Sequence, residues 1–161
     1  MNQERDIATR LEEKNKYFMK EALLEAQKAF EKGEVPVGAV IVRDGIIISR
    51  GHNLKETINQ SFAHAEMLAI SEACKVVGDW RLNDCEMYVT LEPCPMCLGA
   101  LIQSRIMKLY YGAKDLKSGA VDSIINMLKF PWNHKFDVEE GILAYECEKI
   151  LKDFFSELRK N

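Results

Sequence analysis

Between about Asn15 and Lys32 the apolar residues Phe18, Ala22, Ala26 and Phe30 recur every four positions, and Gly33 follows them. This spacing predicts an amphipathic helix that stops at the glycine. The next stretch, VGAVIVRDGIIISRG, sets Asp44-Gly45 between two β-branched runs, which predicts a tight hairpin. After the polar loop NLKETINQSF, the run AHAEMLAISEACKVV places Met67, Ile70, Ala73, Cys74 and Val77 on one helical face. EMYVTL then reads as a short strand, PMCLGALIQS as a helix and RIMKLYYGA as a further strand. From Ile142 to Lys160 a closing helix is expected, striped by Leu143, Ile150, Leu151, Phe154 and Phe155. The core order β-β-α-β-α-β predicts an α/β fold in which strands joined through helices pair in parallel. Ligands on such sheets gather at the carboxyl ends of the parallel strands.

At 161 residues with 47% apolar content, and with no repeat or low-complexity linker, residues 1–161 read as one domain able to bury its own core. No apolar run approaches the roughly 18 residues of a membrane span, so no membrane partner is expected. The five cysteines are odd in number and the N-terminus lacks the apolar stretch of a signal peptide, which points to a reducing cytoplasm. The net charge of −3 hides an asymmetry: from Arg105 to Lys135 six basic residues face two acidic ones, a local +4 against −7 elsewhere. Such a segment suits a phosphate backbone, or is a solvated lysine-rich surface.

Two short motifs carry chemistry. In EPCPMC, Pro95 suits the first turn of a helix, placing Cys94 near the N-cap and Cys97 near the third helical position, where both sulfurs reach one ion. A helix start also lowers thiol pKa, although a redox dithiol has the same spacing. In HAEM, His64 and Glu66 would lie about 200° apart around a regular helix. They share a site only if His64 stands outside the helix, at its entrance. The combined order, H-x-E followed by P-C-x-x-C, is that of zinc nucleobase deaminases, in which one histidine and two cysteines bind Zn²⁺ and the glutamate stays off the metal. Three ligands leave the fourth tetrahedral position open, as in catalytic zinc. Glu66 is then base and acid in turn, taking a proton from water and returning protons to a ring nitrogen and the departing ammonia.

Over Tyr17 to Arg159 the chain resembles the bacterial tRNA-specific adenosine deaminases, of the cytidine/deoxycytidylate deaminase superfamily. The matching pieces are GEVPVGAVIV, GHN, AHAEMLAI, YVTLEPCPMCLGALIQSRI, YGAKDLKSGA, NH, GILAYEC and FF. The resemblance implies a three-layer α/β/α sandwich around a five-stranded mixed sheet and hydrolysis of adenosine to inosine at the wobble position of tRNA. It also implies one Zn²⁺ per subunit, a homodimer, and the tRNA anticodon stem-loop as partner. By position it implies that Asn53 binds substrate and that Asp115, Lys117, Asn133 and Phe155 lie near RNA. The plainer alternatives are a loop cap for Asn53, a turn residue for Asn133 and a core side chain for Phe155. The chain departs from the family at Ser61-Phe62, where Pro-Thr is common, and this places Phe62 at the pocket mouth.

EPCPMCLGA is shared with guanine deaminases, so a free-base or nucleoside deaminase is the second reading. A non-catalytic module with structural zinc is the third, and it needs a fourth ligand from His52, Cys74, Cys85, His134 or Cys147. Those three cysteines otherwise read as reduced packing thiols.

Overall fold

A computed structural model describes residues 1–161. Its elements run α1 (Asn2–Glu31), β1 (Gly38–Arg43), β2 (Ile46–His52), α2 (Ala65–Val77), β3 (Cys85–Leu91), α3 (Pro95–Gln103), β4 (Lys108–Ala113), a 3₁₀ turn (Met127–Lys129), β5 (Asp137–Glu139) and α4 (Ala144–Lys160). The sheet order is β2-β1-β3-β4-β5. β1 pairs antiparallel with β2 and β3, while β3, β4 and β5 are parallel, so the five-stranded sheet is mixed.

The hairpin forms where expected. Asp44 and Gly45 both have positive φ, 52° and 76°, the two-residue turn whose twist matches its strands. A bulge between Ile41 and Val42 then shifts the register. β1, β3 and β4 are buried on both faces, which is why they read as continuous apolar runs rather than alternating ones. On one face Val40, Val42, Tyr88 and Tyr110 meet Phe18, Met19 and Ala22 of α1 and Cys147 of α4. On the other, Ile41, Met87, Val89 and Leu109 meet the alanines of α2 and Leu98 and Leu101 of α3. The three layers are thus α1/α4, sheet and α2/α3. No helix is long and apolar enough to cross a membrane.

Four expectations are corrected. α1 begins at Asn2, a dozen residues before its apolar periodicity, and residues 2–13 are exposed. α2 buries Ala65, Glu66, Ala69 and Ala73, leaving Met67 and Ile70 only partly buried. The reason is a close approach: a methyl added at Gly51 of β2 would overlap the Ala65 carbonyl and crowd the Ala69 nitrogen, so only small residues fit between helix and sheet. Cys74 is half-buried, with its thiol towards the Trp80 carbonyl at 3.8 Å. Phe155, expected on the apolar stripe of the last helix, is exposed, while Cys147 and Phe154 are the residues α4 buries.

Candidate metal centre and substrate cavity

His64 is the N-cap of α2, with extended backbone (φ −76°, ψ 153°), and Glu66 falls in the first turn. That break from helical geometry brings the two side chains to one site despite their spacing. Cys94 is likewise the N-cap of α3 (φ −75°, ψ 172°), Pro95 opens the helix and Cys97 is its third residue. Both helix starts lie beside the carboxyl end of β3. Their unpaired N–H groups favour negative charge on the sulfurs.

His64 Nδ1 stands 3.7 Å from Cys94 Sγ and 3.5 Å from Cys97 Sγ. A tetrahedral zinc with Zn–N near 2.05 Å and Zn–S near 2.3 Å separates nitrogen and sulfur ligands by about 3.6 Å. The triplet therefore fits zinc as it stands. The three ligand atoms lie within 4.8 Å of one another, and no other His, Cys, Asp or Glu joins the group. His52 meets Lys32 at 2.8 Å, His134 meets the Ile106 carbonyl at 2.8 Å, and Cys85 and Cys147 are buried in the two cores. A fourth protein ligand is thus missing, and the reading as structural zinc loses its requirement.

The three side chains and Glu66 perturb one another's protonation. A hydrogen bond from the Cys97 thiol, with a second from His64, holds the Cys94 thiol down at about 4. Cys97, the donor, is pushed up, and His64 is raised through its bond to Cys94. Glu66 is 4% exposed, and its burial, reinforced by the Cys94 charge, pushes its carboxyl up to about 7.

The centre opens onto a cavity of about 220 Å³ whose lining includes Val35, Asn53, His64, Glu66, Cys94 and Asp115. Asn53 donates from Nδ2 to the Val35 carbonyl at 3.2 Å and accepts the Lys55 N–H at 3.1 Å, so it organises its loop while facing the cavity. Asp115 accepts N–H bonds from Lys117 and Ser118. Phe62 is 51% exposed and is not among the lining residues. Lys117 and Phe155 are brought together outside the cavity, in a depression shared with Leu151, Lys152 and Arg159. Asn133 is exposed and lines neither hollow.

Two residues beside the site escape sequence reasoning. Glu92 and Glu34 are 2% and 1% exposed. Burial alone would raise both carboxyls. Hydrogen bonds outweigh it, from Ser123, Asp122 and Asp115 at Glu92 and from Thr57 and Glu56 at Glu34, and hold both below the ordinary range. Nothing in a single glutamate preceding Pro93-Cys94, or following a helix stop, distinguishes it from a surface residue.

Comparison with known proteins gives a consistent result. A family model described as MafB19-like deaminase matches residues 12–159. The tRNA-specific adenosine deaminase of Bacillus subtilis (strain 168) is 55% identical over 144 residues, 89% of each chain. A solved structure from work on A-to-I editing by tRNA:A34 deaminases at the wobble position of transfer RNA matches with a TM-score of 0.82 and 46% identity, covering 84% of this chain and 99% of that one. The guanine deaminase of Bacillus subtilis matches with a TM-score of 0.58 and 36% identity, covering 73% of this chain and 85% of that one.

Proposed function

This chain belongs to the family of tRNA-specific adenosine deaminases, and on that premise we propose that it hydrolyses the wobble adenosine of tRNA to inosine, releasing ammonia. The observation that carries the proposal is the His64, Cys94 and Cys97 triplet at zinc-ligand spacing, opening onto a cavity that also receives the Glu66 carboxyl.

His64, Cys94 and Cys97 would hold one Zn²⁺ per subunit. When bound, zinc supplies a nucleophile by acidifying water at neutral pH. Glu66 does the proton work: its buried carboxyl faces the same cavity as the metal ligands and is the acid-base group placed to accept and return a proton there. It takes one proton from the attacking water and passes it to the purine ring nitrogen, then takes the second from the hydroxyl now on the ring carbon and passes it to the amine, which leaves as ammonia. Asn53 has two amide hydrogens, one committed to Val35, and the other serves an acceptor on the nucleoside.

The tRNA reading is favoured over a free base by what lies outside the cavity. Lys117, Lys152 and Arg159 surround the exposed Phe155 ring, a combination that suits phosphates and a stacked base and that a free purine does not need. Asp115 and Asn133 belong to the same RNA-facing proposal. A homodimer is proposed from the exposed apolar side chains at Met96, Ile124, Phe130 and Trp132. The cytoplasm is proposed because all five thiols are free.

The test is deamination of a panel: an anticodon stem-loop with adenosine at the wobble position, guanine, cytosine and cytidine. Inosine and ammonia from the stem-loop alone support the proposal. Turnover of guanine with an inert stem-loop replaces it by the free-base reading.

A further inference from the structure

The cavity has two walls that the metal motif does not build. One is made of the α1–β1 turn and the loop after β2; the other is made of the end of β3 and the loop after β4. Each wall is two chain segments distant in sequence, and in each a buried carboxylate joins the two. Glu34 Oε1 accepts the Glu56 N–H at 3.0 Å and Oε2 accepts the Thr57 N–H at 2.6 Å. Glu92 Oε1 accepts the Asp115 N–H at 3.2 Å and the Ser123 hydroxyl at 2.5 Å. Its Oε2 accepts the N–H groups of Val121, Asp122 and Ser123 at 3.1, 2.9 and 3.0 Å. Every lining residue outside the His64–Glu66 turn lies in a segment that one of these two carboxylates ties down.

The packing confirms how closely the second wall is fitted. A methyl added at Gly119 would overlap the Glu92 carboxylate. Gly119 also accepts the Ile124 N–H through its carbonyl, and Ala120 donates to the Pro93 carbonyl at 2.9 Å, so the loop is seated against the segment that leads into Cys94. An ionised carboxylate only accepts hydrogen bonds, so both oxygens can receive converging N–H donors. A glutamine in either orientation turns an NH₂ group against at least one of them. Buried donors left facing a donor are costly, and the loop relieves the conflict by moving.

We propose that Glu34 and Glu92 are positioning residues that set the aperture of the deamination cavity, holding the Asn53–Lys55 and Asp115–Ser118 segments at the spacing that grips the target nucleotide. Glu92 lines the cavity and Glu34 does not, and both act through the loop donors their oxygens accept. The inference rests on the deaminase reading of the site, and it assigns to these residues the binding of substrate rather than of metal.

The experiment compares zinc-loaded wild-type protein with Glu34→Gln, Glu92→Gln, Ser123→Ala and Gly119→Ala on the wobble stem-loop, well below each variant's Tm. Expected are an unchanged zinc stoichiometry, a kcat within about threefold of wild type, and a KM raised on the order of tenfold in the two glutamine variants. Ser123→Ala, which removes one bond of five, shifts KM in the same direction by less. Gly119→Ala disturbs the same contact from the other side, so adding it to Glu92→Gln raises KM no further. Unchanged KM with a lowered Tm assigns the carboxylates to stability alone and overturns the proposal; so does loss of zinc. If Glu92→Gln does not fold, the Ser123, Gly119 and Glu34 variants decide. If wild type turns over guanine and not the stem-loop, the substrate assignment falls, and the same KM comparison made on guanine judges the aperture separately.

Discussion

Replacing Glu66 by glutamine should stabilise the metal-stripped protein while abolishing most of its activity. In the fold the Glu66 carboxyl is raised from 4.5 to about 7, chiefly by burial. At about 1.4 kcal/mol per pH unit, the charged form costs the folded state about 3 kcal/mol. Unfolded chain ionises this group from about pH 4.5 upward, folded chain only from about 7. The penalty is therefore absent below 4.5, grows between 4.5 and 7, and is constant above 7. Glutamine keeps the shape and removes the charge. After chelation, Glu66→Gln should melt roughly 6–12 °C above wild type at pH 8, and the two should converge by pH 4. With zinc restored the gap should narrow, because a dication on the neighbouring ligands favours the carboxylate. Turnover of the zinc-loaded variant should fall by about 10² to 10⁴, the share of a general base and acid. Thermal melts across pH with and without chelator, paired with zinc analysis and a stem-loop assay, measure all of this. A chelated variant no more stable than wild type at pH 8 would refute the claim that the site holds a charge against the interest of the fold.

Cys97→Ala should lose stoichiometric zinc, read by metal analysis after dialysis, since one histidine and one thiolate are too few ligands for a lasting site. Gly51→Ala should destabilise the protein by about 1–3 kcal/mol in denaturant melts and lower zinc affinity, because the added methyl pushes on Ala65 and Ala69, next to His64 and Glu66. Lys117→Glu should raise KM for the stem-loop and flatten its salt dependence by about one unit of log–log slope, with zinc content unchanged; an unaltered slope would remove that lysine from the RNA surface.

What the sequence reveals of this fold follows the range of the interactions involved. The Asp44-Gly45 hairpin is legible because its cause is local, two residues that tolerate positive φ. The first dozen residues of α1 are not, because they are exposed and have no apolar face to set a period. α2 is legible as a helix but not in orientation. Its large apolar residues suggest a face through Met67 and Ile70, yet the sheet comes so near at Gly51 that the alanines face it instead. β5 is three residues long and mostly exposed, and only its parallel pairing with β4 makes it a strand. Its existence is a tertiary fact.

The same distinction divides the site. Zinc ligation draws on few residue types at constrained separations, so His64, Cys94 and Cys97 announce themselves once the two helix starts are recognised. Phe62 lies two residues before His64 and yet is not among the residues that line the cavity. The walls use another currency. Glu34 and Glu92 are satisfied mainly by backbone N–H groups, which nearly every residue supplies, so the segments they hold need no recognisable sequence. Glutamate itself is common and usually solvated. Chemistry at the metal can thus be encoded in a short motif, while the shape that admits a nucleotide is encoded in where two carboxylates find themselves after folding. Substitutions in the loops after β2 and β4 should then alter substrate preference more readily than reaction type, provided the amide donors to Glu34 and Glu92 stay in place.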